Sequence, residues 1–113
     1  MSKKFDVYLE FGRRRLEQLK NYKRVAKEVK EIAQKHFGKA DVYVFGSVIE
    51  GKPTASSDID ILIVTNEINP EEIYKFKTII HESMDAPVEL HIVSSNEFKN
   101  WYKRFIGKLE KVA

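Results

Sequence analysis

Between residues 3 and 37 the apolar positions recur at steps of three and four: Leu16, Leu19, Tyr22, Val25, Ala26, Val29, Ile32, Ala33 and Phe37. That period gathers them into one stripe of a helix and leaves Lys and Arg on the remaining faces. The pattern predicts a single long helix over about 3–37. Gly12 is a candidate interruption of its first turns, and Gly38 stands where a C-terminal cap belongs. So long a helix in so short a chain is expected to project beyond its own core.

The period then changes. Asp41-Val42-Tyr43-Val44-Phe45 is rich in β-branched and aromatic residues and is closed by Gly46, which predicts a strand. Residues 47–57 hold Gly51, Pro53, Thr54, Ser56 and Ser57 and read as loop. Asp58 to Thr65 predicts a second strand, apolar enough to be central. Asn69-Pro70-Glu71-Glu72 has proline at a first helical position and acids in a first turn. The helix it opens should run to about Met84 and bury Ile73, Phe76, Ile79 and Ile80. Pro87 to Val93 predicts a third strand. Ser94 with Glu97 forms a capping-box pattern before a last helix that would use Phe98, Trp101, Tyr102, Phe105 and Leu109. The expected order is α-β-β-α-β-α, an α/β (α+β) domain with a small mixed sheet flanked by helices.

Composition adds limits. With 113 residues the chain is expected to form one domain, 1–113: the long helix at about 3–37, then a core at about 41–113. Hydrophobic residues at 42% and charged residues at 33% fit a globular protein with a charged surface. The formal charge of +3 permits contact with a nucleotide or nucleic acid without indicating nucleic acid. Cysteine is absent, which excludes disulfides, thiolate catalysis and cysteine-based zinc sites. No apolar stretch follows the N-terminus, and the longest fully apolar run, Ile61 to Val64, is too short to span a membrane. A cytoplasmic protein with no membrane partner is expected.

Chemistry concentrates around the second strand. Residues two apart on a strand share a face, so Asp58 and Asp60 project together, away from Ile59 and Ile61. Two adjacent carboxylates repel, and burying them is costly unless a cation neutralises them. Aspartate is also disfavoured in strands, so the local rule is broken twice at one spot. Mg²⁺, which takes oxygen ligands from one or two carboxylates and from substrate phosphates, resolves the conflict. Glu89, in the middle of the third strand, would add a third carboxylate if strands two and three are neighbours. Such a trio suits two metal ions. It reads otherwise as a solvent-facing strand residue. Gly46-Ser47 supplies a close backbone approach, free N–H groups and a hydroxyl for phosphate oxygens, with Lys52 as the basic residue of the loop. His91 shares Glu89's face and reads first as a structural or exposed histidine. Arg13-Arg14-Arg15 reads as a solvated helix face.

These residues resemble the signature of the minimal nucleotidyltransferases of the DNA polymerase β superfamily: Gly-Ser, ten residues, then Asp-x-Asp, with a third acid on a later strand. Here it is Gly46-Ser47, then Asp58-Ile59-Asp60, with Glu89 as the third acid. Glu89 stands where that family usually has aspartate, and Val48 and Glu50 occupy a stretch where many members carry arginine. The resemblance implies a nucleotidyltransferase fold, with two Mg²⁺ ions on Asp58, Asp60 and Glu89. It also implies ATP as substrate, its triphosphate held by Gly46, Ser47 and Lys52, with Glu89 as a further catalytic base. Small members often accompany a HEPN protein, a toxin ribonuclease, and act as its antitoxin, in some cases by transferring AMP to a tyrosine of the toxin. A catalytically weak module that neutralises a HEPN protein by contact is the alternative, and transfer to a small molecule or an RNA end is a third.

Overall fold

The computed structural model describes residues 3–54, 56–102 and 108–113. Its elements are α1 (Lys3–Lys20), α2 (Tyr22–Phe37), β1 (Asp41–Phe45), β2 (Ile59–Val64), α3 (Pro70–Ser83), β3 (Val88–Val93), α4 (Ser95–Tyr102) and β4 (Glu110–Lys111). The sheet runs β3-β2-β1-β4. It is mixed: β1 pairs antiparallel with β2 and β4, and β2 pairs parallel with β3.

β2 is central because both of its faces are covered. On one face Ile59, Ile61 and Ile63 pack with Val42 and Val44 of β1, under Ala26, Val29, Ala33 and Phe37 of α2 and Phe76 and Ile80 of α3. On the other, Leu62 and Val64 pack with Phe45, backed by Tyr43, Val93, Phe98, Trp101 and Leu109. Asp60 is the one polar residue of β2, and it lies on this second face. Parallel pairing of β2 and β3 needs a crossover, which α3 provides. Asn69 caps α3 by accepting from the Glu71 N–H at 2.9 Å, with proline in the first turn. The Ser94–Glu97 box forms in both directions, at 3.2 Å each way. Gly38 closes α2, its N–H donating to the Gln34 carbonyl at 2.9 Å.

Four expectations need correction. The long helix is two helices, broken at Asn21 (φ −92°, ψ 26°), whose carbonyl starts α2 by accepting from Arg24 and Val25. Asparagine competes for local backbone groups and is a poor helix interior, so the stripe continues while the hydrogen-bond ladder restarts. Gly12 does not interrupt α1. Ile79 is exposed, because it lies about 100° around the helix from Ile80, which is buried; Ile73 is only half-buried. Leu109 is not helical, and it precedes the short strand β4 that completes the sheet edge. Phe105 and the side chain of Tyr102 lie outside the described residues.

The expected projection is present in α1. Leu19 is buried, whereas Val7, Tyr8, Leu9, Phe11 and Leu16 are exposed, Tyr8 at 74%. The radius of gyration is 15.3 Å, against about 13 Å for a compact chain of this length. Among the described residues, no helix is long and apolar enough to cross a membrane.

Candidate functional site

On the second face of the sheet, Phe98 and Trp101 of α4 pack against Tyr43 and Phe45 of β1. On the same face three sequence-distant segments meet: the turn after β1, the start of β2 and the middle of β3.

Register brings the acids together. Asp60 pairs with Glu89 across the parallel β2–β3 ladder, and with Phe45 across the antiparallel β1–β2 ladder. A one-residue slip would send Asp60 into the apolar face, so burial of Ile59, Ile61 and Ile63 holds the carboxylate on the site face. Two residues further on, His91 pairs with Leu62, which places its ring on the same face as Glu89.

Gly46 follows Phe45 with φ 83°, in the left-handed region that favours glycine. A Cβ built on it would run into the Asp60 carboxylate, so this backbone closes on Asp60 only because residue 46 has no side chain. The Gly46 carbonyl accepts from the Ile49 and Glu50 N–H groups at 3.1 Å each, and Ser47 accepts from Lys52 at 3.0 Å. Among the described residues, no backbone hydrogen bond of this turn uses the N–H of Ser47 or Val48. Lys52 itself is exposed.

Asp60 is the most perturbed carboxyl group of the site. Burial pushes it up to about 6, helped by its hydrogen bond with Glu89 and the negative charges of Glu89 and Asp58. His91 Nε2 lies 3.9 Å from Asp60 Oδ1 and 3.8 Å from Glu89 Oε1, beyond hydrogen-bonding range. That nitrogen is buried and has no hydrogen-bond partner. Its ring sits 5.2 Å from that of Phe45, centroid to centroid. Asp60, Glu89 and His91 each offer one ligand atom, all within 4.8 Å of one another. Mutually repelling carboxylates, a raised aspartate and an orphaned nitrogen are a donor set that a divalent cation would satisfy, so the residues fit a metal.

Asp58 stands apart from that trio. It precedes β2, and its Oδ1 accepts from Arg15 Nη2 at 2.6 Å. The same guanidinium reaches the Ser57 carbonyl at 3.3 Å. Arg15 was expected on a solvated helix face, yet its side chain is only 26% exposed. Arg14 does stay at the surface, bridging to Asp85. A signal for Arg15 was available: it stands four residues before Leu19 and seven before Tyr22, on the stripe that faces the core.

The sequence profile of the nucleotidyltransferase domain matches residues 13–113 of the chain. The structure is similar to that of a candidate nucleotidyltransferase, with 37% identity, TM-score 0.63, and coverage of 77% of this chain and 96% of that one. A candidate nucleotidyltransferase from Sulfolobus solfataricus matches with 23% identity and TM-score 0.58, covering 85% of this chain and 83% of that one. A chain of the Shewanella oneidensis complex of a tri-AMPylated HEPN toxin with its MNT antitoxin matches at 15% identity and TM-score 0.54, covering 79% and 69%. At the last two identities the likeness is one of fold. No curated protein gave a match.

Proposed function

This chain belongs to the nucleotidyltransferase domain family, and on that premise we propose that it transfers AMP from ATP to a hydroxyl acceptor, a tyrosine of a HEPN toxin, and so acts as an antitoxin. The observation that carries the reading is the closure of the Gly46 turn on Asp60, with Glu89 in register beside it. Phosphate-binding N–H groups and metal-binding acids then share one face, as a nucleoside triphosphate requires.

Asp58, Asp60 and Glu89 would hold Mg²⁺, two ions in the full assembly, whose charge would offset that of the triphosphate. The N–H groups of Ser47 and Val48, with the Ser47 hydroxyl, would hold phosphate oxygens, and exposed Lys52 would close over them. The acceptor oxygen attacks the α-phosphorus in line, the bond to the bridging oxygen breaks, and pyrophosphate leaves. The acceptor's proton passes to the Glu89 carboxylate. Orientation of the acceptor and compensation of charge supply most of the rate.

The test is intact-mass measurement of the HEPN partner after incubation with this protein, ATP and Mg²⁺. A mass increase of whole AMP units is expected, mapped to tyrosine and absent for Asp60→Asn. An unmodified partner, with ATP binding retained, would sink the proposal.

The Arg15–Asp58 ion pair and the exposed apolar side chains of α1 favour a second reading, a binding module that neutralises its partner by contact. Val7, Tyr8, Leu9 and Phe11 precede residues 13–113, the part matched to the family. On this reading the variant with Asp58→Ala and Asp60→Ala still neutralises the partner. Loss of neutralisation by a folded, partner-binding double variant rules it out.

A further inference from the structure

We infer that the cation nearest β3 is held by Asp60, Glu89 and His91 together, and that this mixed oxygen–nitrogen site takes a first-row transition cation in preference to Mg²⁺. The inference rests on the proposed use of a divalent cation at this face, and changes both its ligands and its chemical class.

Parallel register is the first ground. Asp60 and Glu89 are directly paired, and His91 lies two residues beyond Glu89 on the same face of the same strand. The three side chains therefore converge without any loop having to move. Ligands adjacent in an octahedral shell at about 2.1 Å from the ion stand about 3 Å apart. His91 Nε2 is 3.8 Å from Glu89 Oε1 and 3.9 Å from Asp60 Oδ1, and one ligand atom of each of the three lies within 4.8 Å of the others, so closing on a shared ion needs about 1–2 Å of side-chain movement.

The second ground is the state of that nitrogen. Nε2 is buried and lacks a hydrogen-bond partner, although the ring as a whole is 36% exposed. A buried polar atom without a partner is destabilising, and an ion between it and the two carboxylates would satisfy all three. Phe45, packed on the ring, restricts the directions in which Nε2 can point. The third ground is Asp58, the other acid of the Asp-x-Asp pair, whose carboxylate is engaged by Arg15 and is not part of the converging trio.

Donor chemistry then sets the class. Mg²⁺ favours oxygen and keeps its waters, whereas imidazole nitrogen raises affinity along the first-row series from Mn²⁺ towards Zn²⁺. Two carboxylates with one imidazole thus discriminate against Mg²⁺ in a way that three carboxylates would not.

The experiment is calorimetric titration of the metal-free protein with Mn²⁺, Zn²⁺ and Mg²⁺ separately, for the wild type and for His91→Gln and His91→Ala. The wild type should bind Mn²⁺ and Zn²⁺ at least about tenfold more tightly than Mg²⁺. Either variant should lose at least about 10–100-fold in Mn²⁺ and Zn²⁺ affinity, the loss caused by removing even an outer partner of a ligand, with Mg²⁺ affinity nearly unchanged. Circular dichroism of the metal-free variants checks folding, and Gln preserves bulk and polarity at the site. Equal affinities in the wild type, or equal weakening of all three ions in a folded variant, would overturn the inference. Binding is read without ATP or acceptor, so a protein that fails to transfer AMP could still pass this test, and an active one could fail it.

Discussion

The Arg15 guanidinium, on α1, lies 2.6 Å from the Asp58 carboxylate, which comes 43 residues later and just ahead of β2. The pair joins the helix that leads into the family-matched region to one acid of the Asp-x-Asp motif. As a partly exposed pair it should contribute little to stability. Its larger effect is electrostatic, since the cation offsets one of three clustered negative charges. Arg15→Ala is expected to lower unfolding free energy by about 1 kcal/mol or less while tightening Mg²⁺ binding several-fold. Denaturant melts and calorimetry read the two effects separately. Unchanged or weaker metal binding would contradict the electrostatic reading.

Gly46→Ala places a methyl group in the Asp60 carboxylate and asks alanine to hold φ 83°. The backbone strain should cost about 1–3 kcal/mol. ATP binding should fall with it, because the turn must move off Asp60. Full nucleotide affinity in the alanine variant would show that this close approach is dispensable.

Asp60 makes the metal-free protein sensitive to pH. Its carboxyl is pushed from 3.8 up to about 6, chiefly by burial and then by Glu89. Because the folded state prefers the protonated form, the associated stability is fully present below about pH 3.8 and is lost as pH rises through about 6. Asp60→Asn should flatten that part of the melting profile, and added divalent cation should raise the melting temperature above pH 6 for the wild type alone. Parallel profiles for the wild type and variant would contradict the shift.

Tyr22 donates to Glu110 at 2.6 Å and so ties the start of α2 to β4. That bond, with burial and the Glu110 charge, raises its hydroxyl from 10.0 to about 12. The contribution is present below pH 10 and lost as pH rises through about 12. Tyr22→Phe should cost about 1 kcal/mol at neutral pH and remove the wild type's excess alkaline slope. Identical alkaline melts would show the bond to be unimportant in solution.

The exposed apolar side chains of α1 separate stability from partner binding. Replacing Tyr8 and Phe11 by Ser should leave unfolding within about 0.5 kcal/mol of the wild type, since neither is buried. If this helix docks a HEPN partner, the same change should weaken association by about 2 kcal/mol or more, as for aromatic anchors generally. Undiminished association would move the docking surface elsewhere.

Most of the fold was legible because its causes are local. The switch from helical to strand period, the Asn69-Pro70 start and the Ser94–Glu97 box are short-range rules, and each appears where expected. The exceptions have causes outside the window. The helix break at Asn21 comes where the apolar stripe continues unbroken, so periodicity could not locate it. β4 is two residues long and exists because β1 has an open edge to pair with. Ile79 fits the helical period but faces away from the element that α3 packs on.

For the candidate site, the chain alone singled out Gly46, Ser47, Asp58 and Asp60 as candidates, through the spacing of a known signature, and strand alternation set Asp60 opposite Ile59 and Ile61. Only the tertiary structure decided which acid meets which partner. Parallel pairing of β2 with β3 set Asp60 against Glu89 and brought His91 within 3.9 Å of both. Packing of α1 carried Arg15 to Asp58. Register and helix docking are set by burial summed over the whole core, and no short segment contains that sum.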